Sequence, residues 1–129
     1  MNESTYKRRV RALMTRAGWH VWCVADRYHA GRPDLIAFRQ GQAVALELKW
    51  LPSRPTRRAL LALVTPTQAH ELEALARVDI PGYVLVGSPG RHWLVPGPLV
   101  RHMILPCVER EYADPAAALI MIEVAAGIS

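Results

Sequence analysis

Two acidic residues lie at the ends of two strand-like segments that the chain folds back on each other. The segments are DLIAFR and QAVALELKW, and Gln40-Gly41 separates them. A two-residue turn at Gln40-Gly41 fixes the register of a hairpin, and it places Asp34 directly opposite Glu47. Opposed Cβ atoms in such a pair are about 4.5–5.5 Å apart. Two carboxylates at that separation can bind one divalent cation through their oxygen atoms.

A lysine next to this acidic pair could supply further positive charge. Lys49 shares a face with Glu47, because side chains alternate along a strand with a period of two. Both strands are otherwise apolar on both faces, which predicts that they lie inside a sheet. Opposed like charges at the end of such strands require a cation between them. The alternative is that Glu47 and Lys49 are only the polar end of a strand and Asp34 a turn residue, and the residues alone do not decide between the two.

Positive charge is concentrated in the first half of the chain. Residues 1–58 contain 12 of the 16 Lys and Arg residues and 4 of the 11 acids, a net charge of +8, whereas residues 59–129 have a net charge of −3. This asymmetry favours a polyanionic partner such as nucleic acid. An anionic lipid surface and simple solubility remain alternatives.

The apolar periodicity predicts secondary structure around this hairpin. A helix is expected to begin at an N-cap of Ser4 or Thr5, to continue to Ala17 and to stop at Gly18. A short strand is expected at residues 19–24, before a polar loop. Residues 51–65 contain several prolines and are expected to be extended, with a short apolar stretch at 59–64.

The second half of the chain has two clear helix starts. Thr65-Pro66 is an N-cap and first-turn pair that opens a helix to about Ala76, and Asp114-Pro115 opens a second helix. Between them, GYVLVG is expected to be a buried strand and HWLVP an edge strand, with a short helical segment after Pro98.

These elements predict an α/β fold with a central mixed β-sheet flanked by α-helices. A length of 129 residues fits a single domain, with its core at about residues 3–95 and a C-terminal extension whose helix covers about residues 114–126. We expect no membrane association and a soluble, cytoplasmic protein, because no apolar run approaches the roughly 20 residues that span a bilayer. A bacterial and a phage origin both remain open. Cys23 and Cys107 are expected to be buried free thiols, and the five histidines to be surface or hydrogen-bonded core residues.

Three segments together resemble a known family. GRPDLIAF, ALELK and TPTQAHELEAL are similar to the PD-(D/E)XK nuclease superfamily and, within it, to the VRR-NUC group and its phage relatives, which resemble archaeal Holliday junction resolvases. The similarity covers about residues 3 to 87. It implies a restriction-endonuclease-like fold, a Mg²⁺- or Mn²⁺-dependent endonuclease acting on branched, flapped or structured DNA, and a homodimer. A non-catalytic nucleic-acid-binding module and a basic structural protein are the competing interpretations.

The resemblance also assigns roles to matching residues. It makes Asp34 and Glu47 metal ligands, together with the backbone carbonyl of Leu48. It makes Lys49 the residue that positions the attacking water and stabilises the developing negative charge. Gln68 corresponds to a glutamine that helps to order the site.

The family also has a glutamate on its first helix. Glu3 is the acid available there, although it lies about one turn further from Gly18 than in the resolvase-like members. For DNA binding we expect contributions from five arginines of the basic half: Arg8, Arg9, Arg32, Arg57 and Arg58.

Overall fold

A computed structural model describes residues 1–24, 31–97 and 111–128. In chain order the elements are α1 (Glu3–Arg16), β1 (His20–Cys23), β2 (Leu35–Arg39), β3 (Gln42–Trp50), α2 (Arg57–Leu63), α3 (Pro66–Arg77), β4 (Gly82–Ser88), β5 (Arg91–Pro96), β6 (Glu111–Tyr112) and α4 (Pro115–Ala125). Within these ranges the strands form one six-stranded sheet in the order β1 to β6. Only β3 and β4 are parallel neighbours there, so the sheet is mixed.

The hairpin of β2 and β3 has the predicted register. Its pairs run from Leu35 opposite Leu46 to Arg39 opposite Gln42. The two turn residues, Gln40 and Gly41, both have positive φ angles, 50° and 74°, as a type I′ turn requires. β2 begins at Leu35, so Asp34 lies immediately before the paired region. Arg32 also lies before the paired region, which begins at Leu35.

Helices cover both faces of the sheet. On one face, α1 packs on β1 and β3, and α4 packs on α1, β5 and β6, around a cluster of buried side chains: Tyr6, Val10, Met14, Leu35, Ala37, Val44, Leu46, Leu48, Ala118, Leu119 and Ile122. On the other face, α3 packs on β4 and β5 through a smaller cluster: Ala69, Leu72, Val84, Val86, Trp93 and Val95. The predicted flanked sheet is therefore confirmed, and β2 and β3 are interior strands.

Tyr6 fixes α1 on the sheet. Its ring is fully buried, and it occupies the space above Gly87, where a Cβ atom would lie 2.5 Å from Tyr6 Cζ. Its hydroxyl lies 2.9 Å from His92 Nδ1, and the two rings are stacked. The glycine thus permits close approach of the helix, and the hydrogen bond satisfies two buried polar groups. The position of the next residue, Lys7, follows from this packing.

Several local predictions are confirmed. Thr65 is the N-cap of α3, with Pro66 in its first turn, and Asp114 is the N-cap of α4, with Pro115 in its first turn. His92 is a hydrogen-bonded core residue, as expected. The expected short helix after Pro98 lies outside the described residues, and so do Cys107, His29 and His102. None of the helices within the described ranges is long and apolar enough to cross a bilayer.

Other predictions are wrong. Asn2 is the N-cap of α1, since its side chain accepts a hydrogen bond from the Thr5 amide. Strand β5 is not an edge strand, because β6 pairs with it, and a two-residue strand is too short to show a periodicity. The segment at 51–65 contains α2, which begins after the N-cap Thr56, because its prolines flank the helix without interrupting it. Cys23 is exposed, because it lies on β1 at the edge of the sheet.

The environment of His92 predicts how stability depends on pH. Burial lowers the pKa of His92, and the charge of Arg9 lowers it further. In the unfolded chain the pKa of this histidine is about 6.5. The unfolded chain therefore binds the proton more readily than the folded protein does. The contribution of His92 to the free energy of unfolding should be complete above that pH and should be lost as the pH falls below it.

Urea unfolding of the parent and of His92→Gln at pH 7.5 and pH 5 measures this effect. We expect the loss of stability on acidification to be smaller in His92→Gln than in the parent, and unchanged in the control His70→Gln, since His70 is exposed. An equal loss in the parent and in His92→Gln would contradict the assignment.

Candidate active site

Asp34 is held in place by contacts from three parts of the fold. Its backbone carbonyl accepts a hydrogen bond from the Val24 amide at 3.0 Å, which joins it to the end of β1. Its Oδ2 accepts a hydrogen bond from the Leu48 amide at 2.7 Å, and its Oδ1 lies 2.7 Å from Lys7 Nζ on α1. The Asp34 carboxylate is thus oriented before any ligand binds.

Glu47 is a buried acid beside Asp34. It is only 4% exposed, and it lies on β3 next to the position that Asp34 occupies beyond β2. Burial, a hydrogen bond with Asp34 and the negative charge of Asp34 raise the pKa of Glu47 to about 8, although Lys49 and Lys7 oppose this shift. At neutral pH the pair therefore holds a proton, and a metal cation could replace that proton.

Lys49 lies on the same face of β3 as Glu47, as predicted from the alternation of side chains. Its Nζ is 3.7 Å from Glu47 Oε1, and 16% of its side chain is exposed. This ion pair places a compact positive charge at the edge of the acidic pair. The charge is sheltered from solvent, so it is screened less than a surface charge would be.

The backbone of Leu48 also faces this site. Its amide points towards Asp34, and the amide and carbonyl of one residue in an extended strand point to the same side of that strand. The Leu48 carbonyl therefore faces the side of β3 from which Asp34 approaches. This orientation agrees with its expected role as a ligand.

The donor set fits one hard divalent cation. Two carboxylates and a carbonyl offer only oxygen atoms, and magnesium is commonly bound by one or two carboxylates while it retains several waters. Within the described ranges, no group of three or more His, Cys, Asp or Glu residues could hold a metal ion. A metal ion at this site would therefore be held by two acidic side chains, Asp34 and Glu47, together with backbone or water oxygens.

Lys7 was not predicted from the sequence, although its Nζ lies as close to an Asp34 carboxylate oxygen as the Leu48 amide does, at 2.7 Å. Burial acts to lower the pKa of Lys7, but the hydrogen bond and the charge of Asp34 outweigh burial and raise it. Lys7 thus remains charged. Its proximity to Asp34 could have been suspected only from its place beside the core residue Tyr6.

Glu3 reaches the acidic pair only through Lys7 among the described contacts. Its Oε2 lies 3.8 Å from Lys7 Nζ, one helical turn away, and 47% of its side chain is exposed.

Gln68 has a different environment. Its side-chain oxygen accepts a hydrogen bond from the Thr65 backbone amide, and its backbone amide donates a hydrogen bond to the Thr65 hydroxyl. These two bonds form the capping box of α3. The catalytic roles expected for Glu3 and Gln68 remain predictions.

The loop before Asp34 packs closely on α3. Gly31 has a φ of +87°, and a Cβ atom there would lie 2.6 Å from Thr67 Cγ2. Arg32, one of the expected DNA-binding residues, is exposed, and its Nε lies 3.6 Å from Glu71 Oε1 on α3. These contacts bring the start of α3 next to the residues that precede Asp34.

The remaining expected DNA-binding arginines lie at different places. Arg8 lines a cavity of about 280 Å³ together with Lys7, Arg11 and Asp34. Arg9 lies near the buried His92, whose pKa it lowers. Arg58 is exposed on α2, and the side chain of Arg57 lies outside the described part of the structure. Of these four arginines, Arg8 alone lines the cavity at Asp34 within that part.

Comparison with solved structures supports the fold. The chain is similar to Hjc of Archaeoglobus fulgidus, a Holliday junction resolvase from an archaeal hyperthermophile, with a TM-score of 0.60 and 19% identity. The match covers 74% of this chain and 78% of that chain. No family model matches the sequence, and no curated protein matches it. At this identity the similarity shows the fold, which is resolvase-like and restriction-endonuclease-like, as the sequence predicted.

Proposed function

We propose that this protein is a divalent-metal-dependent endonuclease that hydrolyses phosphodiester bonds in branched, flapped or otherwise structured DNA. One observation carries the proposal: Asp34 and Glu47 lie side by side at the end of an apolar sheet, with Lys49 next to Glu47. A protein gains no stability from a buried acid, Glu47, beside a second, half-buried acid, Asp34. Their placement is explained if a cation binds between them.

The residues of the site suffice for hydrolysis. A magnesium or manganese ion bound by Asp34, Glu47 and the Leu48 carbonyl would supply Lewis acidity, which lowers the pKa of water and draws charge from a phosphate oxygen. Lys49 adds a fixed positive charge where negative charge develops on the phosphate, and it can orient the attacking water. The water oxygen forms a bond to phosphorus, one bridging P–O bond breaks, and the proton lost by water is balanced by the proton that the leaving oxygen gains.

DNA as the substrate is supported by charge and by fold. The basic first half of the chain contributes α1, whose Lys7, Arg8 and Arg11 line the cavity at Asp34. Phosphate groups are attracted to such a surface irrespective of base sequence. A solved structure with a similar fold is that of a Holliday junction resolvase, and this similarity supports branched DNA as the substrate. The motifs GRPDLIAF and ALELK further support a place in the VRR-NUC group, and the resolvase resemblance supports a homodimer.

A nucleic-acid-binding module of the same fold without catalysis is the main competing function. Such a module has no need of buried acids where a phosphate must approach, since each acid repels the ligand. The complete set of Asp34, Glu47 and Lys49 therefore favours the nuclease. A basic structural protein would leave the acidic pair without an explanation.

Cleavage should require a divalent ion and both carboxylates. We expect a labelled four-way junction to be cut with Mg²⁺ or Mn²⁺, and Ca²⁺ to support binding with little turnover, because its looser coordination orients water poorly. Asp34→Asn and Glu47→Gln should each abolish cleavage, because each removes a metal-binding carboxylate, and metal-free DNA binding should be unchanged or stronger. Glu111→Gln is the control, because Glu111 is an exposed acid that pairs with Arg91 on β5. Full activity in excess chelator would exclude this mechanism.

Lys49 should stabilise the transition state of cleavage and should have little effect on the affinity for the metal ion. Lys49→Ala leaves both carboxylates in place, so we expect single-turnover cleavage to fall by roughly 10²–10³-fold, with little change in the affinity for Mn²⁺. Lys49→Arg should not restore the parent rate, because a planar guanidinium on a longer side chain places its charge elsewhere. Cleavage at the parent rate by Lys49→Ala would show that Lys49 is only the polar end of β3.

A further inference from the structure

We propose that Lys7 provides, from the protein itself, the positive charge that a second metal ion would otherwise supply. On this view, which rests on the proposed nuclease function, the site binds one divalent ion, and Lys7 contacts a non-bridging oxygen of the phosphate that is cut. Lys7 is then a further catalytic residue, and it competes with the ion for Asp34 before DNA binds.

The contacts of Asp34 leave little room for two ions. Oδ1 lies 2.7 Å from Lys7 Nζ, and Oδ2 accepts the Leu48 amide at 2.7 Å. Each oxygen therefore already has a close partner. An ion can use the remaining lone pairs or displace the flexible lysine, but it cannot displace a backbone amide that belongs to β3.

The balance of charge also favours a single ion. Two acids, Asp34 and Glu47, face two ammonium groups, Lys7 and Lys49. The next acid, Glu3, is 3.8 Å from Lys7 Nζ and nearly half exposed. One divalent ion makes this group attractive to a phosphate, whereas two ions beside two lysines would leave an excess of positive charge in a partly buried site.

Lys7 has the freedom to move from the carboxylate to a phosphate. Its side chain is 38% exposed, and it lines the cavity of about 280 Å³ together with Arg8 and Arg11. Arg8 and Arg11 lie on the same side of α1 as Lys7, so they extend the positive surface away from Asp34. Because Lys7 and Asp34 both line this cavity, a phosphate bound there would lie next to the Lys7 ammonium group.

The test is to titrate four proteins with Mn²⁺ and to measure free Mn²⁺ by electron paramagnetic resonance. The proteins are the parent, Lys7→Gln, Lys7→Arg and Arg16→Gln. Arg16 is a matched control because it is an exposed cation in the last turn of the same helix. We expect one ion per chain in all four proteins. Lys7→Gln should bind it about tenfold more tightly, because one competing charge is removed from beside Asp34, while Lys7→Arg and Arg16→Gln should match the parent.

Single-turnover cleavage of the junction at saturating Mn²⁺ gives the second measurement. The cleavage rate should fall at least tenfold in Lys7→Gln, although this variant binds Mn²⁺ more tightly. The rate should not fall in Arg16→Gln. Two ions per chain in the parent, or Mn²⁺ affinity in Lys7→Gln equal to or weaker than that of the parent, would overturn the proposal. Unchanged cleavage by Lys7→Gln would overturn the contact with phosphate.

The titration also separates this proposal from the proposed function. A parent protein that binds one Mn²⁺ ion but does not cut DNA would refute the nuclease and, with it, the phosphate contact. The Mn²⁺ affinities of the parent and Lys7→Gln would still decide whether Lys7 competes for Asp34. Circular dichroism of each variant shows whether a change in Mn²⁺ binding reflects the site or the fold.

Discussion

The structure depends on the contact between two acids at the end of an apolar sheet. Glu47 is almost completely buried, and its neighbour Asp34 raises its pKa through both charge and a hydrogen bond. Such a pair opposes folding unless its surroundings offset the repulsion. The Leu48 amide, Lys7 and Lys49 provide that compensation. Leu48 and Lys49 belong to β3, whereas Lys7 belongs to α1.

The fold brings these distant parts of the chain together. The hairpin turn aligns β2 and β3, so that Asp34 emerges beside Glu47. Tyr6, packed over Gly87 and bonded to His92, holds α1 close to the sheet and directs Lys7 to Asp34. The acidic pair is thus supported by a helix about 30 residues earlier in the chain. A change in the core at Tyr6 would therefore alter the site without touching a carboxylate.

The parts that sequence could predict are those that local chemistry determines. The register of the hairpin follows from two turn residues, and the starts of α3 and α4 follow from a cap and a proline. Strand β6 and the interior position of β5 could not be predicted, because they depend on pairing between segments far apart in sequence. The role of Lys7 was missed for a similar reason. Periodicity shows that α1 buries Tyr6, but it does not show which partner the adjacent lysine will meet.

We expect Asp34 and Glu47 to share a proton that a bound metal ion replaces. Calorimetric titration with Mn²⁺ at pH 7, in buffers that differ in ionisation enthalpy, counts the protons released per ion. Because the pKa of Glu47 is raised to about 8, we predict release of nearly one proton at pH 7 and almost none at pH 9.5. Glu47→Gln should release none at either pH. Binding of Mn²⁺ to the parent without proton release at pH 7, or no binding at all, would contradict this account of the site.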